Sequence, residues 1–314
     1  MKKLAIGIDI GGINTAFGLV DEQGDLFAES VISTRKYPFV EDYPTYVNDL
    51  AQAIRALIKS LSFEFTLVGI GIGAPNANIY SGMIEQPANL WKFREEETDR
   101  DEQRRLFPLA EDLSKAFGGV KALITNDANA ATIGEMVYGN AKGMKDFIVI
   151  TLGTGLGSGI VVGGNLLYGH DGYAGEAGHM TVVKNGRECG CGRKGCLECY
   201  ASSKGIRNTA IELLEESDHP SKLRNIAVEH LSSKDISLAA KNGDTIAKKC
   251  FEFTGSILGE ALANLVAVTS PQAIFLSGGV ANAKELILAP TRRAMEKNIL
   301  PLWKGRIKLT LYSL

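Results

Sequence analysis

The segment FIVITLGTGLGSGIVVGGNLL, residues 147–167, decides the fold. An apolar run ends in a glycine-rich turn, a second apolar run follows, and a tight turn leads into a third. Such runs between glycines are typical of strands, so the pattern predicts strand, turn, strand, turn, strand. The same order occurs in AIGIDIGGINTAFGLVDEQGDL, residues 5–26, where Gly11 falls opposite Gly153. This repeat predicts two related α/β halves with a cleft between them, divided near residue 125.

Apolar residues recur at helical spacing in the segments between the strands, which predicts helices there. One helix is expected from about residue 44 to 61, and TLVGIGIGAP and QAIFLSGGV are expected as buried strands. A strand ending in TND should lead into a helix near Asp127. Further helices are predicted at FPLAEDLSKAF, 203–217, 236–241, 244–269 and 281–297.

The composition is that of a globular protein without a strong charge bias. Of 314 residues, 45% are hydrophobic and the formal net charge is −2. No basic block is present, which argues against nucleic acid as a partner. Glycine is in excess, with 35 residues, which favours tight turns and close backbone approach to ligands.

Two apolar segments have the composition of a signal peptide or of a membrane helix. The run LAIGI after Lys3 is interrupted by Asp9, so it does not form the core of a signal peptide. Residues 147–170 lack Asp, Glu, Lys and Arg, but the glycines in their centre would break a membrane helix. We therefore expect a cytoplasmic protein with reduced thiols and no membrane association.

Three glycine turns each follow an apolar strand: DIGGINT (9–15), LGTGLGSG (152–159) and LSGGV (276–280). Backbone N–H groups freed at such turns bind phosphate without a cationic side chain. A single glycine turn often only reverses the chain, but two of these three lie in the repeated halves. No G-x-x-x-x-G-K-[ST] motif is present. The segment GIGIGA (69–74) fits a dinucleotide fingerprint only nominally, because Pro75 follows it.

A histidine and three cysteines recur with the spacing H-x9-C-x-C-x4-C. The candidate ligands are His179, Cys189, Cys191 and Cys196. Four such donors suit a closed tetrahedral zinc site. Cys199 is an alternative fourth ligand in place of His179, and a redox cluster is the other interpretation. Cys250 lies in a helical pattern and is expected in the core.

Taken together and in this order, the motifs DIGGIN, TNDANA, GTGLGSG, GEAGH, CGCGRKGCLE and LSGGV resemble the ROK family (repressors, open reading frames and kinases) of the actin/hexokinase-like superfamily. The sequence is most similar to bacterial glucokinases and related hexose kinases of that family. The resemblance implies an α/β fold with two ribonuclease-H-like domains, residues 1–124 and 125–314, and an active-site cleft between them. The second domain would carry the zinc loop, and its C-terminal end would return to the first. A homodimer is also implied.

The resemblance also assigns roles to residues. Asp127 would be the general base, although from the residues alone an N-terminal helix cap is an equal interpretation. The sugar would contact Asn76, Asn126, Asp127, Glu176, His179 and Glu198, with Asn89 nearby; solvated glutamates are the alternative for the two Glu residues. ATP and Mg²⁺ would contact Asp9, Gly11, Gly12, Gly153, Thr154, Gly155, Gly278 and Gly279. The zinc ion would be structural, bound by His179, Cys189, Cys191 and Cys196, and would hold Glu176 and Glu198 so that they converge on one sugar.

The sequence departs from the family pattern in two places. Ile13 stands where threonine is usual, which removes one hydroxyl near the phosphates or Mg²⁺; Asn14 and Thr15 are possible substitutes. The chain ends at KLTLYSL, where relatives continue into a helix, so it is either short or truncated.

The expected function is ATP-dependent phosphorylation of a hexose at its 6-hydroxyl, with D-glucose the first candidate. N-acetylmannosamine, allose and fructose are alternative substrates. A noncatalytic sugar-binding or repressor-type protein is the other class. A repressor needs an N-terminal helix-turn-helix, and the strand KLAIGID leaves no room for one in this sequence.

Overall fold

The computed structural model describes residues 1–87, 90–95 and 101–313. The chain forms two compact units. Unit 1 comprises Met1–Ala131 and Tyr168–Ala174, and unit 2 comprises Thr132–Leu167 and Gly175–Leu314. The division between the units falls inside a helix, and a short segment of the second half belongs to unit 1. The sequence-based division at residue 124/125 stays a prediction.

Unit 1 is built on a five-stranded sheet with the order β3-β2-β1-β4-β8. Its elements are β1 Lys2–Ile10, β2 Asn14–Val20, β3 Leu26–Ser33, α1 Tyr43–Lys59, β4 Phe65–Gly73, β5 Ala77–Asn78, β6 Met83–Glu85, β7 Leu106–Phe107, α2 Leu109–Ala116, β8 Ala122–Thr125 and the start of α3 Asp127–Val137. Strands β1, β4 and β8 are parallel, β2 runs antiparallel to β1, and β3 runs antiparallel to β2. The expected strands and helices of this half are therefore confirmed.

Alternation along β1 positions the core of unit 1. Leu4, Ile6, Ile8 and Ile10 are buried on one face, where α1 contributes Tyr46, Leu50 and Ile54. Their side chains pack together because β-strand side chains alternate between faces while those of a helix recur every three or four residues. Pro44 lies in the first turn of α1, where its missing N–H has no partner to lose.

Unit 2 repeats the topology of unit 1 with the sheet order β11-β10-β9-β12-β13. Its elements after α3 are β9 Phe147–Leu152, β10 Leu156–Val162, β11 Asn165–Leu166, α4 Glu198–Ala201, α5 Ser203–Glu215, α6 Ser233–Lys241, α7 Thr245–Thr269, β12 Ala273–Ser277, α8 Glu285–Asn298 and β13 Lys308–Leu311. In both sheets the first strand pairs with an antiparallel hairpin partner on one side and a parallel strand on the other. The predicted duplication is confirmed.

Helix α7 is the central helix of unit 2. It is the one helix among the described residues that is long and apolar enough to cross a membrane, and 56% of its most apolar window is buried inside the protein. A Cβ at Gly255 would lie 2.6 Å from the Pro290 ring of α8, and one at Gly259 would overlap the backbone of Thr291. The two glycines thus let α8 pack directly on α7, as in the core of a globular protein.

Candidate functional site

The carboxyl ends of three parallel strands meet at one edge of the unit 1 sheet. Asp9 of β1 is in register with Gly73 of β4, which is in register with Thr125 of β8. Asp127 follows Thr125 by two residues and begins α3. A Cβ at Gly73 would lie 3.0 Å from the Ala130 Cβ, so glycine there lets α3 start at the sheet edge. The register therefore places Asp9 and Asp127 at the same edge.

Asn126 and Asp127 share the capping of α3. The Oδ1 atoms of both residues accept the backbone N–H of Ala128 at 2.9 Å. The cap interpretation of Asp127 is thus correct for one oxygen, but Asn126 supplies the same contact from the position before the helix. A capping role does not by itself account for the carboxylate at 127, because Asn126 already fills it.

The two aspartates have perturbed acidities. Both side chains are reached by solvent, yet surrounding protein atoms desolvate the carboxyl groups. Desolvation raises the pKa of Asp127, with the Ala128 N–H opposing the change. Desolvation also raises the pKa of Asp9, and the negative charge of Asp127 raises it further. Paired carboxyls with raised pKa values are typical of acid–base sites.

The glycine turns of the two units occupy the same place in their sheets, although the turn in unit 2 is one residue shorter. In unit 1, the Gly11 N–H donates to Asn14 O at 2.9 Å, and in unit 2 the Gly153 N–H donates to Gly155 O at 3.0 Å. Each turn begins directly after the first strand of its sheet. Their equivalent places were predicted from the repeat, but the hairpin registers differ by one residue, since Ile10 pairs with Thr15 whereas Leu152 pairs with Leu156.

The second and third glycine turns lie next to each other in unit 2. The Val280 N–H donates to Leu152 O at 3.1 Å, which places the turn after β12 against the end of β9. Gly278 has φ +86°, and a Cβ there would lie 2.6 Å from the same Leu152 oxygen. Only glycine fits this position. Gly153, Thr154, Gly155, Gly278 and Gly279 are therefore brought together at one end of the sheet.

Glu198 begins α4 and contacts the second glycine turn. Its Oε2 accepts the backbone N–H of Leu156 at 2.8 Å. A Cβ at Gly155 would collide with this carboxylate, so glycine at 155 makes room for it. Glu176, in contrast, is exposed at the start of a 3-10 turn, Ala177–His179. A solvated glutamate is thus ruled out as the whole description of Glu198.

The histidine and the cysteines form a compact cluster in unit 2. The ligand atoms of His179, Cys189, Cys191 and Cys196 all lie within 4.8 Å of one another. Cys189 Sγ is 3.7 Å from His179 Nδ1, and Cys191 Sγ is 3.7 Å from Cys196 Sγ. A tetrahedral ion with metal–sulfur bonds of about 2.3 Å separates its sulfurs by roughly 3.8 Å, so these residues fit a zinc ion.

The structure distinguishes between the two candidates for the fourth ligand. His179 belongs to the cluster, whereas Cys199 is outside it within the described part of the chain. The Cys199 thiol instead donates to the carbonyl oxygen of Glu188 at 3.4 Å. Cys250 is fully buried and its thiol donates to Ile206 O, as a core cysteine does.

Arg187 holds the cysteine loop to α4 and α5, a role that no sequence pattern predicted. Its guanidinium donates to Cys199 O at 2.8 Å, Gly205 O at 3.1 Å and Thr209 Oγ1 at 2.9 Å, and it also pairs with both oxygens of Glu212. It stacks on the Tyr200 ring with 4.6 Å to the centroid. A lone arginine in a loop carries no pattern that reveals these partners.

Three further residues were expected to contact the sugar or the phosphates, namely Asn76, Asn89 and Thr15. Asn76 is exposed and has φ +55°, a left-handed conformation that a functional loop can maintain. Asn89 lies outside the described residues. Thr15 was one of two possible substitutes for the hydroxyl missing at Ile13, and for Thr15 this prediction is wrong. Thr15 is fully buried and its hydroxyl is 2.8 Å from both Thr34 Oγ1 and Tyr46 Oη, because alternation along β2 turns it into the core.

The fold, the glycine turns and the cluster agree with one family. The family model described as ROK family matches residues 5–305. The chain belongs to the ROK family. Glucokinase from Streptomyces coelicolor is 34% identical over 298 residues, which cover 94% of this chain and 87% of that one. Glucokinase from Thermotoga maritima is 32% identical over 308 residues, with 97% and 91% covered.

Solved structures and regulators of the ROK family are also similar. A crystal structure of a ROK family glucokinase from Streptomyces griseus, in complex with glucose and AMPPNP, has a TM-score of 0.78 and 31% identity, with 98% of this chain and 94% of that chain covered. The xylose repressor of Bacillus subtilis is 28% identical over 298 residues, which cover 94% of this chain and 69% of the repressor. The ROK fold of two α/β domains is therefore established, and members with different functions share it.

Proposed function

We propose that the protein is an ATP-dependent hexose kinase that phosphorylates the 6-hydroxyl of D-glucose. The observation that carries the proposal is the carboxyl of Asp127, placed at the end of β8 beside Asp9 with a raised pKa. The glucokinase relatives from Streptomyces coelicolor and Thermotoga maritima, both above 30% identity over nearly the whole chain, support the same activity.

Asp127 has the chemistry of a general base. The ionised carboxylate accepts the proton of the sugar hydroxyl while that oxygen attacks the γ-phosphorus of ATP. A new O–P bond forms, the bond from the γ-phosphorus to the β,γ-bridging oxygen breaks, and ADP leaves with the bonding electrons. A raised pKa makes the carboxylate a stronger base at neutral pH than an ordinary aspartate.

The backbone of the glycine turns is suited to the phosphates. N–H groups at Gly12 in unit 1, and at Thr154 and Gly279 in unit 2, lie at strand ends where nests for anions form, whereas the Gly11 N–H is donated to Asn14 O within its turn. Asp9 is the carboxylate that would face Mg²⁺. When bound, Mg²⁺ neutralises charge on the transferring phosphates.

The sugar would be recognised by carboxylates and amides. Glu176, Glu198, Asn126 and Asn76 are proposed to accept or donate hydrogen bonds to its hydroxyls. His179 presents Nδ1 to Cys189, so its Nε2 is the nitrogen left for a sugar hydroxyl. The cysteine cluster would hold a structural zinc ion that fixes this histidine. We further propose a cytoplasmic location, where the thiols stay reduced, and a homodimer.

A sugar-responsive regulator is the second candidate, because xylose repressors match the same part of the chain at 28% identity. Such a protein would bind sugar without turnover. Within the kinase class, the alternative substrates to glucose are N-acetylmannosamine, allose and fructose.

The test is a coupled assay of ADP release across these four sugars, with xylose added as the regulator's ligand. We expect ATP and Mg²⁺ to give rapid turnover with glucose and product phosphorylated at the 6-position. Turnover with another hexose would change the substrate assignment. Binding of a sugar without ADP release in the zinc-loaded protein would overturn the kinase proposal in favour of the regulator.

A further inference from the structure

A polar cleft in unit 2 borders the second glycine turn. It has a cavity volume of about 60 Å³ and lies between this turn, the cysteine loop and the start of α5. Its lining includes Thr154 from the turn, Ser202 at the cap of α5, and Lys204 and Asn208 from α5, together with the carboxylates of Glu188 and Glu198. Among the described residues, no aromatic or large aliphatic side chain lines it. Such a cleft suits a polar, charged ligand and not a purine ring.

The start of α5 is fixed to the glycine turn. The backbone N–H of Ser203 donates to Gly153 O at 2.8 Å. A Cβ at Gly205 would lie 2.6 Å from the Tyr200 carbonyl carbon, so glycine lets α5 pack closely on α4. Lys204 lies between these two fixed points, so its position relative to the turn is set by the backbone.

Lys204 is the available cation of this cleft. Arg187 is paired with Glu212, and Lys194, outside the cleft, pairs with Glu188 at 3.2 Å. Glu198, the other carboxylate of the lining, accepts the Leu156 N–H. Lys204, by comparison, is exposed and forms no ion pair within 4.0 Å across the described residues. The side-chain amide of Asn208, four residues on and so on the same helix face, has no hydrogen-bond partner in the part of the chain described.

The glycine turns themselves supply no cationic side chain. None of DIGGINT, LGTGLGSG and LSGGV contains Lys or Arg. Transfer of a phosphoryl group from a nucleoside triphosphate concentrates negative charge that side-chain cations usually share with the metal ion. A lysine fixed beside the second glycine turn would supply the positive charge that the turns lack.

We propose that Lys204 and Asn208 bind the phosphate chain of the nucleoside triphosphate donor in this cleft, with Lys204 providing the charge and Asn208 a hydrogen-bond donor. This inference rests on the proposed function, which places the donor's phosphates at the glycine turns. It assigns two residues outside the turns, both from α5, to recognition of the donor.

The chain contains its own control for this proposal. SSKGI (202–206) begins α5 and SSKDI (232–236) begins α6, so Lys204 and Lys234 occupy the same position after a capping serine. In α6, Asp235 completes a capping box, whereas α5 has Gly205 there and no acidic residue in its first turn. Lys234→Met therefore removes an equivalent charge from an equivalent helix start away from the cleft.

The experiment measures binding without turnover, by calorimetry on the zinc-loaded protein. The probes are ADP, inorganic tripolyphosphate, adenosine and glucose. For Lys204→Met we expect ADP and tripolyphosphate affinities to fall by roughly 10–100-fold, the usual worth of a hydrogen bond to a charged group. Lys204→Arg should recover most of the loss. Asn208→Asp, which adds a negative charge without changing shape, should weaken both phosphate probes, while Lys234→Met should match the parent.

The outcomes separate this inference from the proposed function. Adenosine and glucose affinities should be unchanged in every variant; a selective loss of adenosine would mean that Lys204 contacts the nucleoside, and the inference would be wrong. Equal phosphate affinity in Lys204→Met and the parent would also overturn it. If the parent binds ADP through Lys204 but turns over no hexose, the proposed function fails and this inference stands. If the parent binds neither ADP nor tripolyphosphate, both fail.

Discussion

The carboxylate of Glu198 accepts the backbone N–H of Leu156 at 2.8 Å, which connects the residue after the cysteine cluster to the strand after the second glycine turn. Cys196, fully buried in that cluster, lies only two residues before Glu198. A proposed sugar ligand is therefore supported from two directions, by the cysteine cluster and by the glycine turn. Loss of either support should alter the position of the carboxylate.

Removal of the metal should weaken sugar binding more than nucleotide binding. Without an ion, three thiols have no reason to remain close, and Cys196→Ala or a strong chelator should loosen the loop that carries Glu176 and His179. We expect glucose affinity to fall about tenfold or more. Asp127 and Gly153 lie outside that loop, so ADP affinity should change much less. Separate titrations of glucose and ADP on zinc-free protein, shown to be folded, provide the measurement.

Cys199→Ala is the matched control for this experiment, because that thiol lies outside the cluster and donates to the Glu188 carbonyl. It should retain zinc and both affinities. Unchanged glucose affinity in metal-free protein would show that the zinc ion supports a loop remote from the sugar.

Replacement of Asp127 by Asn should abolish most turnover while leaving the site intact. The amide Oδ1 can still accept the Ala128 N–H, but the group no longer takes a proton. We expect kcat to fall by roughly 10²–10⁴, the usual worth of general acid–base catalysis. Initial rates and glucose affinity are measured together, with Asp25→Asn in the β2–β3 turn as control. Activity within threefold of the parent would remove Asp127 from the role of base.

The same substitution should stabilise the protein at neutral pH. The folded-state pKa of Asp127 is raised, so the folded protein binds its proton more tightly than the unfolded chain does. Ionisation of Asp127 therefore lowers the free energy of unfolding. This loss is absent at a pH below the pKa of the unfolded chain and complete at a pH above the pKa of the folded protein. Asp127→Asn should therefore raise Tm at pH 7 relative to the parent, and the difference should shrink as the pH falls through the acidic range. A parent more stable than the variant at pH 7 would contradict the raised pKa.

Ile13 offers a test of the first glycine turn. Its side chain is 56% exposed, and the buried Thr15 cannot supply the missing hydroxyl. If a hydroxyl at this position contacts the phosphates or Mg²⁺, Ile13→Thr should lower the KM for ATP about 2–10-fold, as one neutral hydrogen bond would. Ile13→Val, which has the shape of threonine without its hydroxyl, is the control. Identical KM values for the two variants would show that the backbone of the turn is sufficient.

The sequence predicted what local patterns determine. The hairpins around Gly11 and Gly153 were predictable because strand alternation and glycine turns are encoded within about twenty residues, and the cysteine cluster because its ligands lie close in sequence. Alternation along β2 also places the Thr15 side chain inward. The glycine motif by itself does not show this, and for that reason the prediction that Thr15 replaces the missing hydroxyl was wrong. Contacts such as Glu198 with Leu156 could not be foreseen, since they join residues 42 positions apart that only the folded sheet brings together.

The last prediction concerns Arg187, which holds the cysteine loop through hydrogen bonds that do not involve the residues of the cysteine cluster. Its side chain is only 14% exposed, and Arg187→Met would remove the guanidinium donor of the Cys199 carbonyl, whereas the Gly205 carbonyl would keep the Thr209 hydroxyl. We expect a loss of about 2 kcal/mol or more in the free energy of unfolding, as unpaired polar groups usually cost. Since the Cys199 carbonyl lies next to Glu198, the KM for glucose should also rise, with less effect on the KM for ATP.

Arg293→Met is the matched control, since Arg293 pairs with both oxygens of Glu252 on an exposed surface. An exposed pair of this kind contributes about 0–1 kcal/mol, so this variant should unfold nearly as the parent does. Denaturant unfolding and the two KM values are measured for both variants, together with zinc content. If Arg187→Met lowers stability but leaves the KM for glucose unchanged, Arg187 stabilises the loop without positioning Glu198. If the two variants behave alike in unfolding, the guanidinium network contributes no more than a surface ion pair.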